Sequence, residues 1–339
     1  MSNDKRGRKV AIVGATGAVG EVLLSILEER NFPIKDLRPL ASKSDGRSVR
    51  FKGKSLPVME TTETAFQDID FAFFAATGSL SKKLAPVVAE CGGVAIDKSS
   101  TWRLDASVPL VVPEINPNAL DKHKGIVACP NCTTIGFVMA LEPIRRRAGL
   151  KNVVVTTMQA VSGAGKPGLE ELESQLESIS RGEEPLNSTF AAPIAANVIP
   201  LCEGFRPDGF STEEVKLLFE TRKILDSHSL NVSMTCVRVP VPIGHSASIL
   251  IETESPLSPE EARKAYEAFP GVRLLDDPEN NVFPTPRDAA GTDDVIIGRI
   301  RRDLASPALW VWQVSDNLRK GAATNAVQIA EEMMARGLK

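Results

Sequence analysis

Length, composition and charge limit the possible fold classes and the kind of ligand to expect. The chain has 339 residues, 42% of them hydrophobic and 24% charged, and is about twice the length of a typical domain. These values exclude a disordered chain and a small disulfide-stapled scaffold. The net charge of -3 is the balance of 40 basic and 43 acidic residues, without the dense basic stripe that a nucleic acid would need. We therefore predict two packed cores and a small-molecule ligand.

The cysteines and the first residues indicate the compartment. Five cysteines, an odd number at irregular spacing, predict reduced thiols in a reducing compartment. Basic residues within 5–9 precede the apolar stretch 10–13 as in a signal peptide, but glycines and Glu21 follow without a convincing cleavage site. No apolar run approaches the roughly 20 residues of a membrane helix. We expect a cytoplasmic protein without a membrane partner.

The first part of the chain, residues 9–129, alternates short apolar runs with helical periodicity. In the first helical stretch Val19, Val22 and Ile26 recur at helical spacing, whereas Glu21 lies on the opposite face. Alternating strands and helices predict a parallel sheet. The predicted strands are 10–13, 71–76 and 94–97, and the predicted helices are 18–30 and 80–90.

Beyond Cys132 the pattern changes to long β-rich runs with few helices. The runs 232–240 and 246–253 flank 242–245, which we interpret as a connection between antiparallel strands. We predict an α+β region with a mixed, largely antiparallel sheet, and domains at 1–132, 133–316 and 317–339, the last a helix returning to the first domain. The further predicted elements are helices 135–147, 169–181 and 318–336, and strands 153–158, 295–300 and 309–314.

A glycine-rich turn joins the first predicted strand and helix. Residues 10–20 read VAIVGATGAVG, with Gly14, Gly17 and Gly20 spaced three apart. Small residues let the backbone approach a pyrophosphate, and the helix N-terminus offers N–H groups and a positive dipole end. The spacing differs from the GxGxxG fingerprint, so a purely structural tight turn is the competing interpretation.

A further predicted strand follows the first helix and ends near 37–41, and its end indicates which dinucleotide binds. An NAD site places an acidic side chain there, and none is present. Ser42, Lys43 and Ser44 follow instead and suit a 2′-phosphate, so we predict NADP. This prediction would be wrong if Asp45 reached the ribose, or if these residues formed only an ordinary solvated turn.

Cys132 is the predicted nucleophile of the CPNC sequence at 129–132. A zinc site is disfavoured because no second ligand pair is present, and we predict no metal. A thioredoxin-like redox motif is disfavoured because the sequence lies at the junction of two predicted domains and not after the first strand of a small domain. Thr133 and an apolar-periodic helix follow Cys132, and a helix N-terminus lowers the pKa of a thiol and activates it. We expect the remaining cysteines to be packing residues: Cys91, Cys129, Cys202 and Cys236.

Seven motifs follow one another over nearly the whole chain. They are GATGAVG at 14–20, SSTWR at 99–103, PNCTT at 130–134, Gln159 with SGAG at 162–165, EEVK at 213–216, RVPV at 238–241 and GH at 244–245. In this order they resemble aspartate-semialdehyde dehydrogenase. The resemblance implies a Rossmann-like NADP domain and NADPH-dependent reductive dephosphorylation of L-4-aspartyl phosphate to L-aspartate 4-semialdehyde, a step toward lysine, threonine and methionine. It also implies a homodimer or homotetramer joined through the second domain.

The resemblance also implies roles for individual residues. Cys132 matches the acyl-thioester nucleophile and His245 the acid/base. The substrate ligands would be Asn131, Gln159, Glu213 and Arg238, and the phosphate ligands Arg103 and Lys216. The cofactor contacts would be Gly14, Thr16, Gly17, Ala18, Val19, Ser42, Lys43, Ser44, Ser162, Gly163 and Asn317.

These residue types also suit the chemistry without the resemblance. A thiolate that attacks an acyl phosphate leaves a thioester, which accepts hydride where a carboxylate does not. An imidazole can hold the thiolate and move a proton near neutral pH, and His245 is favoured because His123 and His228 lie in polar loops. A guanidinium in a β run, Arg238, can bind a carboxylate at two points, with an internal salt bridge as the competing interpretation.

Two ligand assignments and the function itself have competing interpretations. Arg103 could pair locally with Asp105, and Glu213 with Glu214 could form only the acidic first turn of a helix after Ser211. The competing functions are N-acetyl-glutamyl-phosphate reductase, a glyceraldehyde-3-phosphate-type dehydrogenase, and a noncatalytic NADP-binding thiol redox sensor.

Overall fold

The chain folds into two compact units. The structure is a computed structural model that describes residues 7–339, so part of the basic N-terminal stretch lies outside the described residues. Among these, unit 1 comprises residues 7–131 together with Ala322–Lys339, and unit 2 comprises Cys132–Gly321.

Unit 1 is built on a parallel sheet. Its elements are β1 (Arg8–Val13), α1 (Ala18–Glu29), β2 (Ile34–Ala41), β3 (Ser48–Phe51), β4 (Lys54–Pro57), β5 (Met59–Glu60), β6 (Phe71–Phe74), α2 (Gly78–Glu90), β7 (Val94–Asp97) and β8 (Ile126–Ala128). The strand order is β5-β2-β1-β6-β7-β8, with every neighbouring pair parallel. The central strands are buried on both faces, as their continuous apolar runs require. The predicted Rossmann-like parallel sheet is confirmed, whereas the β3–β4 hairpin was not predicted.

The glycine turn between β1 and α1 has two glycines that the fold itself requires. Gly14 has φ +87°, and a Cβ there would lie 2.3 Å from the Ala75 carbonyl oxygen. A Cβ on Gly20 would lie 2.1 Å from the Gly14 carbonyl oxygen. Gly17 differs, because its φ is -82° and a Cβ would meet the Gly14 oxygen at 3.4 Å. Gly17 is thus not needed for packing.

Unit 2 is built on a mixed sheet, as predicted. Its elements are α3 (Cys132–Ala148), β9 (Asn152–Gln159), α4 (Lys166–Ser180), α5 (Thr212–Ile224), β10 (Asn231–Arg238), β11 (His245–Glu252), α6 (Pro259–Glu267), β12 (Val272–Leu274), α7 (Pro286–Ala289), β13 (Val295–Arg302) and β14 (Leu309–Ser315). The order is β10-β9-β11-β14-β13-β12. The pairs β10–β9 and β12–β13 are parallel, whereas β11–β9, β11–β14 and β13–β14 are antiparallel.

The connection between β10 and β11 gathers polar side chains at one sheet edge. The two strands run in opposite directions, but they lie on either side of β9 rather than pairing with each other. Arg238 therefore ends β10 directly beside Gln159 at the end of β9. His245 begins β11 at the same edge, opposite Ser315 at the end of β14.

The C-terminal segment begins with an irregular helical turn. We predicted one helix over 318–336, but Arg319–Ala323 is a π-turn and α8 (Thr324–Ala335) follows it. The Asp316 side chain accepts the N–H groups of Leu318 and Arg319, and Gly321 N–H bonds to the Asp316 carbonyl five residues back. Within unit 1, Arg30 makes a bidentate ion pair with Glu331 that ties α1 to α8.

In the part of the chain that the structure describes, no helix is both long and apolar enough to cross a membrane.

The glycine turn provides a test of the fold. We expect Gly20→Ala to destabilise unit 1 by about 1–3 kcal/mol, because the added methyl meets backbone that cannot move aside. Gly17→Ala should unfold as the wild type does, since its site has room and an ordinary φ. Chemical denaturation monitored by circular dichroism measures both, and equal losses of stability would contradict this account of the turn.

Candidate active site

Cys132 is the first residue of α3 and is partly exposed. The N–H groups of the first helical turn and the positive dipole end of the helix meet there, and both stabilise a thiolate. Gly321 allows the chain to pass close by, because a Cβ on it would lie 3.1 Å from the Cys132 Cβ. Sequence reasoning missed Gly321, whose importance depends on a contact between distant parts of the chain.

His245 faces Cys132 through a defined ring nitrogen. The Nε2 atom lies 3.4 Å from the Cys132 sulfur, while Nδ1 accepts the Ala160 backbone N–H at 3.0 Å. A nitrogen that accepts a hydrogen bond carries no proton, so the neutral ring holds its proton on Nε2. His245 is therefore oriented to donate Nε2–H to the sulfur, an assignment that follows from the hydrogen-bond network.

Asn317 fixes the backbone just before His245. Its Oδ1 accepts the Gly244 N–H at 2.9 Å, and its Nδ2 donates to the Ser162 hydroxyl at 2.9 Å. Gly244 has φ +100°, which L side chains rarely adopt. Asn317 and Ser162, predicted as cofactor contacts, thus join two loops within unit 2, and their cofactor roles stay predictions.

Arg238 is a buried cation at the end of β10, with 6% of its surface exposed. Its Nη1 donates to the Ala160 carbonyl at 2.7 Å, and Phe190 stacks against the guanidinium at 5.7 Å from the ring centroid. A Cβ on Gly163 would lie 2.8 Å from Nη1, so this predicted residue keeps space for Arg238. Within residues 7–339 no carboxylate pairs with Arg238, which disfavours the internal salt bridge. A buried charge lacking an internal counterion favours an anionic ligand.

Gln159 and Glu213 form a buried polar pair. Gln159 Nε2 donates to Glu213 Oε1 at 3.0 Å, and the Thr133 hydroxyl donates to the same oxygen at 3.3 Å. Thr157 donates to Gln159 Oε1 at 3.1 Å and so fixes the orientation of the amide. The structure brings these predicted substrate ligands together beside α3.

The two glutamates that begin α5 have different roles. Glu214 completes a capping box with Ser211 and also accepts the Cys236 N–H at 3.0 Å, which ties the helix start to β10. The interpretation as an acidic helix turn therefore applies to Glu214. Glu213 is turned inward to Gln159 instead.

The predicted phosphate ligands belong to different units. Lys216 on α5 forms ion pairs with Glu203 and, at 3.7 Å, with Glu213. In unit 1, the buried Arg103 donates to the carbonyl oxygens of Cys129 at 3.1 Å and Lys98 at 2.6 Å. Asn131 is the last residue of the first segment of unit 1 and is buried.

In unit 1 the glycine turn meets a cationic loop. The N-cap of α1 is Gly17, which has no side chain, so no N-cap side chain bonds to the first N–H groups of the helix. Arg47 reaches the turn, with Nη1 donating to the Thr16 hydroxyl at 3.2 Å and Nη2 to the Lys43 carbonyl at 2.8 Å. Asp45 lies 4.0 Å from Arg47, and both are exposed. The contact between Arg47 and Thr16 was not predicted.

The remaining cysteines separate into buried and exposed thiols. Cys129 is fully buried and accepts an N–H from Asn325 at 3.4 Å. Burial raises the pKa of Cys202 to about 12 and also raises that of Cys236, so both are unreactive. These three are packing residues, as predicted. The prediction was wrong for Cys91, which is exposed because it lies at the solvent end of α2.

The two remaining histidines, His228 and His123, lie in different environments. His228 is largely exposed beside Asp226, in agreement with a loop. His123 accepts the Gly125 N–H, and burial, followed by the charge of Lys339, lowers its pKa. In residues 7–339 no group of three or more His, Cys, Asp and Glu side chains could hold a metal ion.

Comparisons with known proteins agree on one class. Residues 9–123 match the semialdehyde dehydrogenase NAD binding domain, and residues 141–320 match the semialdehyde dehydrogenase dimerisation domain. The fold and the thiol site thus define a semialdehyde dehydrogenase.

Full-length relatives identify the family. The aspartate-semialdehyde dehydrogenase of Aquifex aeolicus is 52% identical over 98% of this chain and 99% of its own. That of Bacillus subtilis is 46% identical, with 97% and 98% covered. A Vibrio cholerae structure of aspartate semialdehyde dehydrogenase II complexed with ASA matches with TM-score 0.95 and 44% identity, over 97% of this chain and 99% of that one. The chain belongs to the aspartate-semialdehyde dehydrogenase family.

The orientation of the His245 ring predicts how its variants behave. His245→Asn removes the donor to the sulfur and should raise the Cys132 thiol pKa by about 1–2 units. A shift of this size corresponds to the free energy of one charge-assisted hydrogen bond. His245→Gln should raise the pKa less, because its amide N–H reaches toward the Nε2 position.

The pH dependence of alkylation at Cys132, followed by mass spectrometry of its peptide, measures these shifts. Below its pKa the thiol reacts slowly, so a raised pKa moves the curve to higher pH. The exposed Cys91 is an internal control. Equal shifts in both variants would show that the proton on Nε2 is not what stabilises the thiolate.

Proposed function

We propose that this protein catalyses the NADPH-dependent reductive dephosphorylation of L-4-aspartyl phosphate to L-aspartate 4-semialdehyde and phosphate. Family membership supports the reaction. The observation that carries its chemistry is the Cys132 sulfur facing His245 Nε2, with the buried Arg238 cation bound to the same residue, Ala160, as His245. The reaction belongs to lysine, threonine and methionine biosynthesis.

The first chemical step is assigned to Cys132. Its thiolate, stabilised by the start of α3 and by His245 Nε2–H, attacks the acyl carbon, forms a thioester and expels phosphate. Lys216 and Arg103 are the proposed phosphate ligands. The ion pairs of Lys216 with Glu203 and Glu213 fix the position of its ammonium group.

The second step returns the sulfur to its starting form. Bound NADPH supplies the hydride that reduces the thioester carbonyl. The carbonyl re-forms as the aldehyde when the carbon–sulfur bond breaks, and the departing electron pair stays on sulfur as thiolate. His245 donates a hydrogen bond from Nε2–H to the atom that carries the negative charge, oxygen before the bond breaks and sulfur afterwards, and the ring keeps its proton. Its fixed ring orientation suits both partners.

The residues of unit 1 fit a dinucleotide. Gly14 and Gly20 allow a turn that a Cβ would fill, and the uncapped N–H groups after Gly17 suit a pyrophosphate. Thr16, Ala18 and Val19 complete this proposed contact. Ser42, Lys43 and Ser44 are the proposed 2′-phosphate ligands, and we add Arg47 because it already bonds to Thr16.

The substrate ligands follow from charge. Arg238 is proposed to bind the α-carboxylate, since it is buried without a carboxylate partner in the described residues. Glu213 offers negative charge to the substrate ammonium, and Gln159 and Asn131 offer amide groups. An amino acid with both charges matches this set.

We propose a homodimer or homotetramer assembled through unit 2, in the cytoplasm. The match to a dimerisation domain supports assembly. One face of the unit 2 sheet carries apolar and aromatic side chains that are only partly covered, as protein interfaces do: Val154, Met158, Leu250, Trp310 and Trp312. Light scattering separates dimer from tetramer against the 36.5 kDa chain.

A thiol redox sensor is less well supported. Cys129 is fully buried and hydrogen-bonded to Asn325, so an external thiol or oxidant has poor access to it. The His245 and Arg238 contacts would also serve no purpose in a disulfide switch.

Replacement of either cysteine of the CPNC sequence tests the function. Cys132→Ala should abolish phosphate-dependent oxidation of aspartate semialdehyde while NADP still binds, because the sulfur carries the covalent step. Cys129→Ala should retain turnover, with stability reduced by the cavity it leaves. NADPH formation followed by ultraviolet absorbance and fluorescence titration with NADP measure the two properties. The reverse pattern would place the nucleophile at Cys129.

The cofactor assignment has its own test. Arg47→Ala should lower kcat/KM with NADP about 10- to 100-fold, the value of a charge-assisted phosphate contact, and leave kcat/KM with NAD unchanged. Lys54→Ala on the exposed β4 is the matched control. Wild-type protein that uses NAD as well as NADP would show that Asp45 reaches the ribose.

A further inference from the structure

An irregular segment after α4, residues 186–199, lies against Arg238 on two sides. Ile199 exchanges both backbone hydrogen bonds with Arg238, at 2.8 and 3.0 Å. Phe190 of the same segment stacks against the guanidinium, 5.7 Å from the ring centroid. The backbone and side chain of Arg238 are therefore both held by a segment that has no helix.

Gln175 on α4 anchors this segment at two points. Its Oε1 accepts the N–H groups of Ile194 and Ala195 at 2.7 and 2.9 Å. Its Nε2 donates to the Leu186 carbonyl at 2.8 Å and to Glu171 at 2.9 Å. The two donors and two acceptor positions of this buried amide are all used, so its orientation is unique.

Glu171 on α4 anchors the segment between those points. Its Oε2 accepts the N–H groups of Ser188 and Thr189 and the Ser188 hydroxyl. Burial raises the pKa of Glu171, but the hydrogen bonds from Thr189 and Ser188 outweigh burial and leave the pKa lowered. Glu171 is thus a charged anchor for Ser188 and Thr189, the two residues that directly precede Phe190.

We propose that Glu171 and Gln175 form a clamp that holds Phe190 over Arg238, which makes Phe190 a positioning residue for the substrate carboxylate. The ring covers the guanidinium, excludes water from it and leaves its remaining N–H groups directed to a ligand. The proposal rests on the proposed function, in which Arg238 binds the α-carboxylate. It extends the substrate site to α4, which sequence reasoning left without a role.

Phe190→Leu tests the proposal, since leucine keeps apolar volume but removes the ring face. We expect KM for aspartate semialdehyde to rise about 3- to 20-fold. This range corresponds to the loss of the interaction free energy of a partly desolvated cation–π contact. KM for phosphate and KM for NADP should stay at wild-type values. Phe205→Leu, a phenylalanine that is 68% exposed, is the matched control and should change none of them.

A double-mutant cycle decides whether Phe190 acts through Arg238. In an Arg238→Lys background, Phe190→Leu should add little, because the flat cation that the ring covers is gone. Glu171→Gln should reproduce the selective rise in KM for the aldehyde. The clamp is overturned if the full rise persists in Arg238→Lys, or if Phe190→Leu changes all three KM values together with Tm. An unchanged KM for the aldehyde in Arg238→Lys would instead overturn the carboxylate assignment itself.

Discussion

Two backbone groups of Ala160 hold two side chains of the candidate site, His245 and Arg238. The N–H bonds to His245 Nδ1 and the carbonyl bonds to Arg238 Nη1, so one residue sets the ring proton of the histidine and the direction of the guanidinium. Backbone groups cannot rotate away as side chains do, and the position of a strand end is fixed by its neighbours in the sheet. The imidazole and the buried guanidinium thus share a single rigid reference point.

The order of strands explains why this reference point exists. Because β10 is parallel to β9, Arg238 and Gln159 end at the same level, and Ala160 follows immediately. The chain then crosses β9 and enters β11 at the same edge, which returns His245 to Ala160. A simple hairpin between β10 and β11 would have paired these strands with each other and displaced β9 from between them.

The side chains of the candidate site were easier to predict from the sequence than the residues that hold those side chains in place. Cys132 was identifiable because a helix start has local signals, and the capped start of α5 was equally visible from Ser211 and its acidic neighbours. Ala160, Gly321 and Phe190 were not identifiable, because their roles depend on backbone groups or on contacts between distant segments. Cys91 was misassigned because an apolar residue type near a helix end does not reveal which face the end exposes.

The distribution of charge in unit 2 explains how one site can prefer an amino acid. Arg238 is buried without a carboxylate partner in the described residues, whereas Glu213 is buried with neutral donors from Gln159 and Thr133 and shares Lys216 with Glu203. A ligand without an anionic group would leave the Arg238 charge uncompensated inside the protein, whereas a carboxylate would supply the missing counterion. Glu213 already contacts Lys216, Gln159 and Thr133. Under the proposed function, selectivity for an amino-acid carboxylate therefore follows from the cost of leaving the Arg238 charge unpaired.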